Sequence, residues 1–247
     1  MNVTCFADAA VQARLHRAIT HHVATDVSVV IPAKQEAPSI GDVITRTHRF
    51  ASEIVVVVGR STDRTGEIAA EHGVCVLNDG GRGKGDAIRR AIPRIKTPVT
   101  VFLDADGSHD PEDIPLLVEP ILAGRADHVA ASRLRGGSSE LHGGFDEFLR
   151  LAGSSFITAC INRRFNCQLS DSQNGFRAIR TSVLQKLDLR ENTTTIEQEM
   201  IIKTLRRGLR MAEVPSHEHP RAYGTSHIRV WRSAPRYGYS LVKYLFF

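Results

Sequence analysis

Two carboxylates one residue apart, Asp104 and Asp106, lie in the run Phe102-Leu-Asp-Ala-Asp-Gly-Ser-His109, directly after an apolar segment. If that segment is a strand, its end can bring both carboxylates to one hard cation, which prefers oxygen ligands and also bridges diphosphate oxygens. The competing interpretation is a polar strand-to-helix turn, with Asp110 and Glu112 charging the first turn of the next helix. Other polar loops favour ligand chemistry because they carry complementary groups: Lys34 and Glu36, Ser61 and Asp63, Arg82 and Lys84. Arginine and lysine neutralise phosphate while carboxylates hold metal and ribose hydroxyls, so together these loops describe a nucleotide pocket. The glycines of Gly80 to Gly85 fit neither GxxxxGK[ST] nor GxGxxG, which argues against a P-loop or a dinucleotide site.

For those loops to meet, the segments between them must form a particular framework. Val27 to Ile31, closed by Pro32, is β-branched and reads as a buried strand, as do Glu53 to Val58, Val74 to Leu77, Val99 to Leu103 and His128 to Ser132. Helical stretches intervene at Ile40 to Phe50, Thr65 to Gly73, Asp86 to Arg94 and Asp113 to Ala123. Strands alternating with helices imply a parallel sheet covered on both faces, which binds ligands beyond the carboxyl ends of its strands. Further on, Phe145 to Arg164 and Ile196 to Arg207 read as helices, and Gly175 to Arg180 and Met211 to Val214 as strands. Leu134 to Gly144, with four Gly and two Ser, reads as a mobile lid over the ligand edge. Ala7 to His21 has the spacing of an amphipathic leading helix. The predicted organisation is a helical extension over 1–26, one α/β domain over 27–228, and a basic aromatic segment over 229–247.

Composition narrows the function classes. The 42% hydrophobic content with mixed charge excludes a disordered chain, and no apolar run approaches the ~20 residues that cross a bilayer. Met1 to Ala24 lacks the basic start and apolar block of a secretory signal, which predicts a cytoplasmic address. Cys5, Cys75, Cys160 and Cys167 have no CxxC spacing, so neither a zinc site nor a disulfide framework is expected. The 11 His show no tight ligand pattern, although His109 directly follows the carboxylate pair. A net charge of +5 points to an anionic partner without choosing it.

The ordered set Ile31-Pro-Ala-Lys-Gln-Glu36, Ser61-Thr-Asp-Arg-Thr65, Gly83-Lys-Gly85, Asp104-Ala-Asp106, Ser132-Arg133, Asp171 to Arg177 and Glu213-Val-Pro215 resembles glycosyltransferase family 2. Within it the chain looks most like the dolichyl-phosphate mannose synthase branch, from about Val27 to Ile228. The resemblance implies the GT-A fold, a single Rossmann-like α/β domain with a mainly parallel sheet. It also implies a nucleotide-diphospho-sugar donor, Mg²⁺ or Mn²⁺, and inversion at the anomeric carbon. Residue by residue, Pro32, Ala33 and Glu36 match the nucleoside-binding loop, with Ser61 and Asp63 in the next donor loop. Asp104 and Asp106 match the metal and diphosphate motif, and Lys84 a donor-site lysine. Arg133 and Arg150 match residues that grip donor and acceptor phosphates, and Arg177 and Arg221 resemble further anion contacts.

An acceptor phosphate is already an anionic nucleophile, so a cationic clamp matters more than a strong base. For a hydroxyl acceptor, Glu197 or Glu199 could supply that base. The implied acceptor is a polyprenyl phosphate at the inner membrane face, reached by peripheral attachment through Trp231 to Phe247, whose aromatic and basic residues suit the headgroup boundary. The alternatives for that segment are a helix packed on the core and a partner's helix, and a soluble sugar or metabolite is the alternative acceptor. Nucleic acid is not an expected partner, and the oligomeric state is open. Some positions depart from the pattern. Val58-Gly-Arg60 stands where relatives commonly carry an Asp for nucleobase or ribose, and Gln35 where they have Asn. Ser108 stands in place of Gln, and His227 in place of Lys. Two rivals follow: a sugar-nucleotide-binding subunit without turnover, and a nucleotidyltransferase. The second would place a Gly-rich basic loop after the first strand, where Pro32-Ala-Lys-Gln-Glu36 stands instead.

Overall fold

The computed structural model describes residues 4–5, 24–139, 145–221, 223 and 230–247. Its strands are Thr4–Cys5 (β1), Val27–Ala33 (β2), Glu53–Val58 (β3), Cys75–Asn78 (β4), Val99–Phe102 (β5), His128–Ser132 (β6), Arg177–Arg180 (β7) and Met211–Pro215 (β8). They form one sheet in the order β1-β8-β6-β7-β5-β2-β3-β4. The helices are Ile40–Thr47 (α1), Thr65–Glu71 (α2), Lys84–Ala91 (α3), Ile114–Leu122 (α4), Arg133–Gly136 (α5), Phe145–Phe165 (α6), Thr181–Leu184 (α7), Ile196–Arg206 (α8) and Val230–Phe246 (α9).

The valine runs explain the layering. A strand buried on both faces reads as continuous β-branched residues, and successive side chains alternate between the faces. Val29, Ile31, Val56 and Val58 accordingly pack with α1, α2 and α4, whereas Val30, Val55 and Val57 pack with α3 and α8. A third apolar cluster joins α6, α8 and α9 through Ile157, Ile161, Ile201, Leu205, Leu241 and Leu245.

All strand pairs are parallel except those of β7, which runs antiparallel to both β5 and β6. The chain runs β2, β3, β4 in one direction across the sheet and then returns to place β5 on the other side of β2. Such a reversal opens a crevice beyond the carboxyl ends of the two strands that diverge from it. Ala33 ends β2 and Phe102 ends β5, so the loops bearing Glu36 and Asp104 flank that crevice.

The structure corrects or extends three expectations. The segment read as a lid from Leu134 begins as α5, and Ser138 donates to the Glu218 carboxylate at 2.6 Å, so its first part is anchored; residues 140–144 lie outside the described residues. The expected leading helix Ala7 to His21 also lies outside them, but Thr4–Cys5 adds a strand beside β8. The C-terminal segment is a helix whose inner side, Leu241, Tyr244 and Leu245, is buried while Tyr239, Val242 and Phe246 stay exposed.

Candidate active site

Asp104 and Asp106 follow β5 directly, and each meets a cation from a different element. Lys84, the first residue of α3, places Nζ 2.5 Å from Asp104 Oδ1 and 2.8 Å from Glu197 Oε1 at the start of α8. Burial alone would depress the Lys84 ammonium, but the two carboxylates push it above its ordinary range. For Asp104, burial works upward and Lys84 outweighs it, holding the carboxyl down at about 2. Arg221 Nη1 lies 3.0 Å from Asp106 Oδ2. The other oxygen, Oδ1, accepts from Ser108 N at 3.0 Å and Ser108 Oγ at 2.7 Å, an Asx turn that Gly107 closes at φ 76°.

Close backbone approach keeps the centre open. A Cβ on Gly175 would stand 2.7 Å from Lys84 Nζ and 2.8 Å from Asp104 Oδ2, so only glycine leaves that space clear. Two carboxylates separated by one residue, with open volume beside Asp104, suit a hard divalent cation. Among the described residues no third His, Cys, Asp or Glu completes a ligand cluster. Coordination by one or two carboxylates plus substrate phosphates is the pattern Mg²⁺ adopts at nucleotide sites. Asp104 and Asp106 are therefore the residues that fit it.

A cavity of about 380 Å³ opens from this centre. Lys84, Asp104, Asp106 and Glu197 line it, together with Arg133, Arg150 and Arg221. Leu149, Phe156 and Ile157 of α6 and Tyr237 and Leu241 of α9 supply its apolar lining. Arg133 is held by Asp171, Nε to Oδ2 at 2.7 Å and Nη2 to Oδ1 at 3.1 Å, and by Glu218 Oε1 at 3.3 Å. Asp171 is in turn fixed by Glu213, whose buried carboxylate accepts from Ser170 N at 2.8 Å, Ser170 Oγ at 2.9 Å and Asp171 N at 2.9 Å. The Glu213-Val-Pro215 motif thus acts through two steps, aiming Arg133 into the cavity.

The predicted site residues separate into two groups. Lys84, Asp104, Asp106, Arg133, Arg150 and Arg221 come together in the cavity. Glu36 lies close enough that burial, and then Asp106, raise its carboxyl above the usual range. Pro32 and Ala33 form the end of β2 beside it. Ser61 and Asp63 are engaged in the loop itself: Ser61 Oγ accepts from Gln35 N at 3.0 Å, and Asp63 accepts from Ala37 N at 3.0 Å and Thr65 Oγ1 at 2.5 Å. Arg177 and Glu199 do not line the cavity. Arg177 is 1% exposed and donates to the carbonyls of Glu197, at 2.9 Å, and Asn174, so it positions the cavity wall from behind. Glu199 accepts from Arg190 N at 2.8 Å and Glu191 N at 2.8 Å and pairs with Lys203, so it braces the segment before α8.

One lining residue, Glu218, carries no local signal in the sequence, and two others the sequence singled out acquire their surroundings only in the fold. Glu218 pairs with Arg133 only because β8 runs beside β6. His109 stacks on Phe176 with ring centroids 5.2 Å apart, a contact between loops of β5 and β7. Glu197 was a candidate together with Glu199, and the helical phase of α8 decides between them: residues two apart face different directions.

The sequence model described as glycosyl transferase family 2 matches residues 28–188. The chain belongs to this family. Its sheet with flanking helices is the GT-A fold. Among relatives, the dolichyl-phosphate hexose transferase of Haloferax volcanii is 30% identical over 228 residues, covering 91% of this chain and 96% of that protein. Glycosyltransferase AglJ of the same organism is 30% identical over 202 residues, 81% of this chain and 65% of the relative. The chain spans about half the length, 49%, of another relative, the low-salt glycan biosynthesis hexosyltransferase Agl6. Among solved structures, glucosyl-3-phosphoglycerate synthase from Mycobacterium tuberculosis superposes with a TM-score of 0.73 at 22% identity, over 99% of this chain and 88% of that one. Other crystals of that synthase hold UDP with Mn²⁺ or with Mg²⁺.

Proposed function

We propose that this family 2 enzyme transfers a hexose, with inversion, from a nucleoside-diphospho-sugar to a polyprenyl phosphate. The observation that carries the proposal is the mixed lining of one cavity: the carboxylates with Lys84, three arginines, and apolar side chains from α6 and α9. Those three kinds of surface suit a donor diphosphate, an acceptor phosphate and an isoprenoid chain. The relative matched over 96% of its length is named a dolichyl-phosphate hexose transferase.

In the proposed reaction an oxygen of the acceptor phosphate attacks the anomeric carbon as the bond to the nucleoside diphosphate breaks. Asp104 and Asp106 would hold a divalent ion, Mg²⁺ or Mn²⁺, which supplies charge neutralisation to the leaving diphosphate. Lys84 and Arg221 place two further cations at the same carboxylates, and Arg150 and Arg133 orient the acceptor phosphate against the sugar. No proton need leave the nucleophile.

For peripheral attachment, α9 presents Tyr239 at 71% and Phe246 at 66% exposure, followed by Phe247 at 87%, and Phe156 of α6, which lines the cavity, is 66% exposed. Exposed rings on the helix that also carries the exposed Arg236 suit an anionic headgroup boundary, whereas Lys243 is held by Glu191. Among the described residues no helix is long and apolar enough to cross a membrane.

A second reading keeps the donor chemistry and uses a soluble hydroxyl acceptor. It is favoured by Glu197 Oε2, buried in the cavity without a hydrogen-bond partner, where it could take a hydroxyl proton. The deciding experiment incubates the full chain with Mn²⁺, a panel of UDP-, GDP-, CDP- and dTDP-hexoses, and either polyprenyl phosphate in detergent or 3-phosphoglycerate. Transfer to the lipid that falls at least ~100-fold in Asp106→Ala supports the first reading. Transfer to phosphoglycerate alone, lost in Glu197→Gln, supports the second.

A further inference from the structure

With a diphosphate at Asp104 and Asp106, the acceptor cavity occupies the side toward α6 and α9. The nucleoside must therefore lie on the other side, over the ends of β2, β3 and β4, which follow one another outward from β5. Strands are about 4.8 Å apart, so the end of β3 lies about 10 Å from that of β5, within reach of a nucleoside joined to the diphosphate.

Apart from Arg60, whose guanidinium lies against Gly81, few polar side chains are available there. Val58 is 7% exposed and apolar. Gly59 N donates to the Ala33 carbonyl at 2.8 Å and Asp79 N to the Val58 carbonyl at 3.0 Å, so the strand ends use their own amides. Ser61 and Asp63 close the loop between Gln35 and Thr65. Asp79, the residue after β4, is different. Its Oδ1 accepts from Gly81 N at 2.6 Å, which fixes the side chain. Its Oδ2 leans back across β3, where a Cβ on Gly59 would stand 2.9 Å from it and 3.6 Å from the Ala33 carbonyl oxygen. No hydrogen bond to that oxygen occurs among the described residues.

We infer that Asp79 is a specificity-determining residue for the donor: its Oδ2 accepts a hydrogen bond from the nucleoside, at a ribose hydroxyl or a base N–H. The inference rests on the nucleoside-diphospho-sugar reading. It explains why residue 59 is glycine, since any side chain there would displace the carboxylate. It also explains why the strand end at Val58 carries no polar group, because the neighbouring strand supplies one. A carboxylate already held by Gly81 N loses little freedom on binding.

The test measures binding of Mn²⁺ with UDP, GDP, CDP, dTDP or pyrophosphate to the full chain by calorimetry. Asp79→Asn retains an oxygen for Gly81 N but turns the second acceptor into a donor. For the nucleotide the wild type binds best, its Kd is expected to rise about 10- to 100-fold, the range of a hydrogen bond to a charged group, with pyrophosphate unchanged. Gly59→Ala, which leaves the charge but crowds it, is expected to show the same split. The 2′-deoxy and 3′-deoxy forms of that nucleotide separate the sources. If they weaken wild-type binding but not that of Asp79→Asn, the partner is a ribose hydroxyl; if they cost both proteins alike, it is the base. Unchanged nucleotide affinity in both variants, or equal loss of pyrophosphate, overturns the inference while leaving the donor reading in place. A wild type that binds pyrophosphate but no nucleotide more tightly overturns both.

Discussion

Lys84→Met is the most informative single perturbation, because it removes one cation from two carboxylates at once. Asp104 and Glu197 keep 27% and 6% of their side chains exposed, and both rely on the same ammonium at 2.5 and 2.8 Å. The depression of the Asp104 carboxyl from 3.8 to about 2 corresponds to roughly 2.5 kcal/mol at 1.36 kcal/mol per unit. Breaking a buried pair from one side costs about 3–5 kcal/mol, and the partial exposure of Asp104 argues for the lower end. The expected loss is therefore about 2–3 kcal/mol in urea unfolding at pH 7, or a fall in Tm of about 5–10 °C. The sign with pH follows from a lowered carboxyl: its contribution is complete above 3.8 and is lost as pH falls through about 2. The gap between wild type and variant should be full at pH 7 and close under acid. Millimolar Mn²⁺ should stabilise the variant more than the wild type, since it no longer shares Asp104 with an ammonium. Transfer activity should fall in the variant even when it is refolded by metal. A variant within about 0.5 kcal/mol of wild type at pH 7, or an equal Mn²⁺ effect in both, refutes this account of the centre.

Glu36→Gln should raise metal-free stability at pH 7, because burial and then Asp106 disfavour the ionised carboxyl; in urea titrations the gain should vanish as the pH falls below the ordinary carboxylate range. Glu199→Gln should cost about 1–3 kcal/mol by weakening the bonds to Arg190 N and Glu191 N, with kcat/KM of the folded enzyme unchanged, as read by unfolding and initial rates at low temperature. Leu245→Ala, on the inner side of α9, should cost about 2–4 kcal/mol, whereas Phe246→Ser should leave unfolding unchanged and reduce co-sedimentation with anionic vesicles.

Much of this enzyme is legible in one dimension. The valine runs require a sheet covered on both faces, the alternation with helices requires parallel pairing, and Asp104-Ala-Asp106 after an apolar strand announces where a hard cation would sit. Those features depend on neighbours within a few residues, so periodicity and turn chemistry carry them. The antiparallel insertion of β7 between β5 and β6 is not such a feature, because strand order depends on which edges remain open after the rest has paired. The roles of individual polar residues are also decided in three dimensions. Arg177 and Glu199 have the residue types of an active site, yet one is enclosed by backbone carbonyls and the other by backbone amides, bonds made across 20 and 9 positions of sequence. Conversely, Glu218 and Asp79 sit in unremarkable local contexts and acquire their surroundings from strands that are distant or merely adjacent in the sheet. Sequence spacing states which side chains can share a strand end, while burial and competing hydrogen bonds determine which of them is left with a free oxygen or a charge facing the cavity.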